Sequence, residues 1–122
     1  MLINLSNHTS INWEQSQTEA AVRDYAEILD IAFPHIDPQW DNEKIKELAK
    51  EYYDKILLEL RNIANKQNAV HLMGETVFCF ILANMLKDAG IICLASTTIR
   101  NANENNGLKT SVFEFVRFRK YF

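Results

Sequence analysis

Short apolar runs alternate along this chain with longer segments whose apolar residues recur every three or four positions, and the last segment alternates strictly. Leu2-Ile3-Asn4-Leu5 reads as a first strand, closed by the polar group Ser6 to Ser10. Asn12 followed by Gln15 has the form of an N-cap box, and Trp13, Ala20, Ala21 and Tyr25 fit one face of a helix from Trp13 to Tyr25. Glu27 to Phe33 reads as a second strand, stopped by Pro34, which has no amide proton for a ladder. A loop follows from His35 to Asp41, with room for a helical turn opened by Asp37 and Pro38.

From Asn42 to Ile63 the apolar positions are Ile45, Leu48, Ala49, Tyr52, Tyr53, Ile56, Leu57, Leu60 and Ile63. This is the strongest periodic signal in the chain and predicts a helix with one buried stripe. Asn65 to Asn68 predict a turn, Ala69 to Met73 a third strand running into Gly74, and Glu75 to Asp88 a largely apolar helix with Gly90 at its C-cap. Ile91 to Ala95 is apolar throughout, the pattern of a parallel strand covered on both faces. Asn101 to Gly107 reads as a polar linker, and Ser111 to Tyr121 as a final strand. Strict alternation there puts Phe113, Phe115, Arg117 and Arg119 on one face and Val112, Glu114, Val116 and Phe118 on the other.

This order predicts an α/β fold, a Rossmann-like doubly wound sheet of about five strands with helices on both faces. The sheet is expected to be mostly parallel, with the Asn101–Gly107 linker reversing the chain so that the C-terminal strand returns antiparallel beside the fourth as a hairpin. One domain is expected over residues 1–122, and a 48% hydrophobic, 24% charged balance is enough for a core without disulfide or metal. Val77 to Leu86, the longest strongly apolar run, is about half of the ~20 residues that span a bilayer. With no secretory pattern at Met1 to Ser6, a cytoplasmic protein without membrane contact is expected. Cys79 and Cys93 lie in apolar segments without a Cys-x-x-Cys spacing, so both are read as buried, reduced thiols.

The net charge of -3 argues against long nucleic acid as a partner. It is unevenly spread. Residues 1–90 carry 8 Lys+Arg against 14 Asp+Glu, whereas residues 91–122 carry 5 against 2, so the C-terminal quarter favours a small anion.

In an open α/β sheet, ligands bind beyond the carboxyl ends of the strands where the connections switch direction. That rule selects Ser6-Asn7-His8, Met73-Gly74-Glu75-Thr76 and Ser96-Thr97-Thr98. Gly74 lets backbone pass near a ligand and the helix after it offers unpaired amides to a phosphate, although Gly74 fits a plain tight turn equally. No Gly-x-Gly-x-x-Gly or Gly-Lys-Ser/Thr loop is present. His8, in a polar loop at a strand end, is the better acid or base; His71, inside a strand, reads as a core residue and His35 as surface. Ser96, Thr97 and Thr98 supply hydroxyls, and Arg100 a fixed positive charge. No carboxylate cluster accompanies Glu75, and no Gly-x-Ser-x-Gly elbow is present, so chemistry without a metal or cofactor is expected.

Asn4-Leu5-Ser6-Asn7-His8, His71-Leu72-Met73-Gly74-Glu75, Ala95-Ser96-Thr97-Thr98-x-Arg100 and Phe115-Val116-Arg117-Phe118-Arg119 together resemble small CRISPR-accessory Rossmann-like proteins of type III systems, related to the ring nucleases. The resemblance spans essentially the whole chain, through short motifs. It implies binding of a cyclic oligoadenylate, the tetra-adenylate favoured, across a homodimer, with or without metal-independent cleavage by a ribose 2'-hydroxyl. Carried onto this chain, it places Asn7 and His8 at the scissile phosphate, with His8 as acid or base. Gly74, Glu75 and Thr76 then cradle the phosphates, Ser96, Thr97 and Arg100 hold ribose or phosphate oxygens, and Ser6, Met73 and Thr98 complete the expected ligand-binding set. The chain departs from better-defined members in having few basic residues near the first loop, which bears on cleavage more than on binding. A non-catalytic receptor, or a small module pairing through its aromatic last strand, would use the same residues differently.

Overall fold

Five short apolar or alternating segments become strands because each finds a neighbour that buries its apolar side. The computed structural model describes residues 1–61 and 67–122. Its elements are β1 (Leu2–Ser6), a 3-10 turn (Ser10–Asn12), α1 (Gln15–Tyr25), β2 (Ile28–Asp30), α2 (Asn42–Leu60), β3 (Ala69–Met73), α3 (Thr76–Asp88), β4 (Ile92–Asn105) and β5 (Leu108–Lys120). The sheet order is β2-β1-β3-β4-β5, with the first four strands parallel and β5 antiparallel to β4. The expected Rossmann-like α/β architecture is therefore present.

Alternation along each strand divides the core in two. Ile3 and Leu5 of β1, Val70 and Leu72 of β3 and Cys93 of β4 pack with Ile45, Ala49 and Ile56 of α2 and Phe78, Leu82 and Leu86 of α3. Leu2, Ala69 and Leu94 face the other way, against Ala21 and Tyr25 of α1. Each fully buried large side chain contributes roughly 1.5–3 kcal/mol. Cys79 and Cys93 are both buried and unbridged, and burial pushes each thiol up to about 12, which keeps them as inert packing groups. No helix among the described residues is long and apolar enough to cross a membrane.

Several elements differ from the pattern-based expectation. Helix α1 starts at Gln15 rather than Trp13, and Asn12 does not cap it: its amide donates to Thr9 Oγ1 instead. β2 ends at Asp30, because the chain beyond it turns Phe33 inward against Phe78, with ring centroids 5.4 Å apart. α2 is capped by Asp41, whose carboxylate accepts from Lys44 N, and ends at Leu60; the expected helix residues 62–63 and the first half of the Asn65–Asn68 turn lie outside the described residues. The expected hairpin between the last two strands is present, and the largest difference is its reach: both strands continue through the polar residues read as a linker, with β4 running to Asn105 and β5 starting at Leu108. Asn106 and Gly107, at φ 54 and 80, make the two-residue turn, and ladder pairing runs to Asn105↔Leu108.

A bulge also breaks the expected alternation in β5. Thr97 pairs with Arg117 but Thr98 pairs with Phe115, leaving Val116 unopposed. The slip brings the Phe115 and Phe118 rings together, with centroids 5.0 Å apart, although alternation assigned them to opposite faces.

Gly74 is a glycine for a reason other than its backbone angle, since its φ is not positive. A Cβ there would stand 2.2 Å from Phe33 Cζ and 2.4 Å from Cε2. Gly74→Ala therefore forces the Phe33 ring off Phe78, and the expected loss is about 1–3 kcal/mol in urea unfolding. Combining it with Phe33→Leu should cost less than the two single losses added together. Additive losses would show that the ring is not the obstacle.

Candidate functional site

A cleft of about 580 Å³ opens beyond the carboxyl ends of β1, β3 and β4, where the connections out of β1 and β3 run to opposite sides. Because α1 begins only at Gln15 and packs through Ala21 and Tyr25, it covers the apolar starts of the strands and leaves their polar ends open. Ser6, Asn7 and His8 form one rim, Asn12, Trp13, Glu14 and Gln17 a second, and Phe113 and Phe115 of the hairpin a third. His71, Met73, Gly74, Ser96 and Thr98 contribute the remainder of the lining.

Beneath the cleft runs a string of polar groups on the α1 side of the sheet. Asn4 Nδ2 donates to Asp30 Oδ1 at 2.7 Å and to the His8 carbonyl at 2.9 Å. Asp30 in turn accepts from Ser10, through its N–H at 3.0 Å and its hydroxyl at 2.6 Å. Burial alone would raise the Asp30 carboxyl, but the hydrogen bonds from Ser10 and Asn4 outweigh it and hold the group below its usual value. Ser6 Oγ lies 2.8 Å from Asn4 Oδ1 and 3.0 Å from the His8 carbonyl. The loop from Ser6 to Ser10 is thus tied down through its backbone, leaving the Asn7 and His8 side chains exposed at the rim.

The same bonds fix the state of His71. Both partners of Asn4 Nδ2 are pure acceptors, so the amide oxygen must face Ser6 and His71. His71 Nδ1, 2.9 Å from that oxygen, therefore carries the proton, and Nε2 presents a lone pair to Ser96 Oγ at 3.2 Å. The ring is wedged edge-on between Trp13, at a 5.2 Å centroid distance, and Phe118, at 5.5 Å.

Of the residues singled out in the sequence, Ser6, Asn7, His8, Met73, Gly74, Ser96 and Thr98 come together in the cleft lining, and Glu75, Thr76, Thr97 and Arg100 do not. The α3 N-terminus is not the open phosphate cradle expected of it. The Glu75 carboxylate accepts from Val77 N at 3.1 Å and Phe78 N at 2.7 Å, occupying amides an anion would need and setting a negative charge at that helix end. Thr97 Oγ1 donates to the Arg117 carbonyl. Arg100 bonds Ser111 Oγ and lies 6.0 Å from the centroid of Phe113, placing it behind the cleft wall.

Sequence reasoning missed Asn4, Asp30, Trp13, Phe113 and Phe115, and it read His71 only as core. One available signal was a lone Asn in the apolar Leu2–Leu5 run, since a buried amide demands partners. None of the described lining residues is Lys or Arg, and Glu14, the acidic one, accepts from Phe115 N at 3.1 Å. No group of three or more His, Cys, Asp or Glu that could hold a metal occurs among the described residues.

A family model described as the uncharacterized protein MJ1673 family matches residues 1–119. No curated protein and no solved structure matches the chain.

Burial lowers His71 from 6.5 to about 4, because the ring is 2% exposed and its charged form loses hydration. The unfolded chain then binds a proton between those values that the folded chain refuses, so this stabilisation is complete above pH 6.5 and is lost as pH falls towards 4. Urea unfolding should show about 2 kcal/mol less stability at pH 5 than at pH 7. His71→Gln should flatten that difference, and an equal slope in the variant would remove His71 as its origin.

Proposed function

The chain belongs to the MJ1673 family, and we propose that it binds a cyclic oligoadenylate, the tetra-adenylate favoured, in the cleft and cleaves it without a metal, switching off type III CRISPR signalling. The observation that carries this reading is the exposed Asn7–His8 pair, held by its backbone beside a cleft with aromatic walls. Trp13, Phe113 and Phe115 offer faces on which adenines stack, and base–aromatic stacking contributes about 1–3 kcal/mol per base. One cleft is smaller than a ring of four nucleotides, so the ring spans a homodimer, with Asn7, His8, Ser96 and Thr98 nearest its phosphates.

Cleavage in this reading forms a bond from the ribose 2'-oxygen to phosphorus and breaks the bond from phosphorus to the 5'-oxygen. A 2',3'-cyclic phosphate and a 5'-hydroxyl result. His8 carries the proton that leaves the 2'-hydroxyl or the one that reaches the 5'-oxygen, a contribution of roughly 10²- to 10⁴-fold. The absence of Lys and Arg from the described lining favours a second reading, in which the ring is bound and held intact because nothing there neutralises charge growing at phosphorus.

Purified protein incubated with cyclic tetra-adenylate in chelator should convert it to linear product seen by chromatography, and His8→Ala should slow conversion far more than it weakens binding. An intact ring at high enzyme excess, with binding heat in calorimetry, selects the receptor reading. Neither heat nor product with cyclic oligoadenylates of any size removes both.

A further inference from the structure

The hydrogen bonds beneath the cleft also run through His71, to which the nucleotide reading gives no role. Ser96 Oγ stands 3.2 Å from His71 Nε2, and His71 Nδ1 stands 2.9 Å from Asn4 Oδ1. A hydroxyl within reach of an imidazole lone pair, with the other ring nitrogen donating to a fixed acceptor, is the arrangement that activates a serine on unrelated folds. It is recognised by geometry and not by chain order, which explains why Asn4, His71 and Ser96, on three neighbouring strands, escape any motif. We propose that Ser96 is a nucleophile with His71 as its base and Asn4 as positioning residue, and that the cleft hydrolyses carboxylic esters.

Asn4 and His71 are 1% and 2% exposed, whereas Ser96 is only partly buried and lines the cleft, so an acyl group reaches the nucleophile but not the base's far side. Trp13 and Phe118 hold the ring plane, and the tautomer fixed by Asn4 is the one that leaves Nε2 free to accept. The aromatic lining without Lys or Arg suits an uncharged acyl group. Asn7 and Thr98 line the same cleft with an amide and a hydroxyl, the donor types an oxyanion needs.

Ser96 Oγ adds to the ester carbonyl carbon as its proton passes to His71 Nε2. The carbon–oxygen bond to the alcohol then breaks, the alcohol leaves with the His71 proton, and acyl-Ser96 remains. Water repeats the sequence through His71 and releases the carboxylic acid. Met73 opposes the first step: its Sδ lies 3.0 Å from Ser96 Oγ, and the single hydroxyl proton cannot serve both acceptors.

The test treats the full chain with an alkyl fluorophosphonate, read by intact mass and peptide mapping, and with p-nitrophenyl acetate. One phosphonyl group is expected on Ser96 with loss of fluoride, absent in Ser96→Ala, with p-nitrophenol released above the uncatalysed rate. His71→Gln should label about 10²-fold more slowly or worse, and Met73→Leu, which removes the competing acceptor, should label faster than the native chain. No adduct under excess probe, an adduct that survives Ser96→Ala, or a His71→Gln rate equal to the native one overturns the proposal. If His71→Gln does not fold, Met73→Leu decides: an unchanged or slower rate overturns it. No nucleotide enters these measurements, so this proposal and the cyclic oligoadenylate reading fail independently.

Discussion

One buried amide, that of Asn4, organises the working end of this sheet. Its nitrogen faces two acceptors, Asp30 and the His8 carbonyl, and its oxygen faces two groups able to donate, Ser6 and His71. No flipped orientation satisfies the same four neighbours, so one side chain dictates the direction of hydrogen bonds on β1, β2, β3 and the loop after β1. Through Asp30 it secures Ser10, and through His71 it meets Ser96 on β4. Asn4, Ser6 and His71 are buried, and leaving any of these three unpaired costs about 1–3 kcal/mol, which makes the string costly to break at its centre.

That constraint accounts for the division of labour along the strands. Leu2 and Ala69 begin the α1-facing rows of β1 and β3, Leu94 follows Ile92 in that of β4, and all are packed on the α1 side; Asn4, His71 and Ser96 come two residues after Leu2, Ala69 and Leu94, towards the cleft end. The opposite face has no such change, because α2 and α3 cover it through Ile45, Ile56, Phe78 and Leu82. An apolar face therefore supplies stability for a face that turns polar where the cleft opens.

Much of the scaffold was legible because its signals are local. The stripe from Ile45 to Leu60, the run Ala69 to Met73 and the apolar segment ending at Asp88 appear as α2, β3 and α3 with nearly the expected bounds. The hairpin was expected, but its length was not, because the polar residues of 101–105 obscured an Asn106-Gly107 pair that is itself a strong turn signal. The bulge at Val116 could not be read, since alternation assumes a register that only a partner strand reveals. Topology selected three loops that the fold brings to one cleft, but the Glu75 carboxylate, read from sequence as lining a ligand, caps α3. The Asn4–His71 contact spans 67 residues of sequence, so no local pattern announces it.

The same two acidic residues explain where charge is available in the cleft. Both Glu14 and Glu75 stand at helix N-caps, yet only Glu75 caps its own helix. Glu14 turns its carboxylate to Phe115 N, an amide on the edge strand, and so joins the α1 rim to the hairpin wall. A ligand entering between them meets a positive helix end already compensated at α3 and a carboxylate already engaged at α1. The cleft therefore presents rings, hydroxyls and amides more than net charge, and the guanidiniums of Arg100 and Arg117 stand outside its lining.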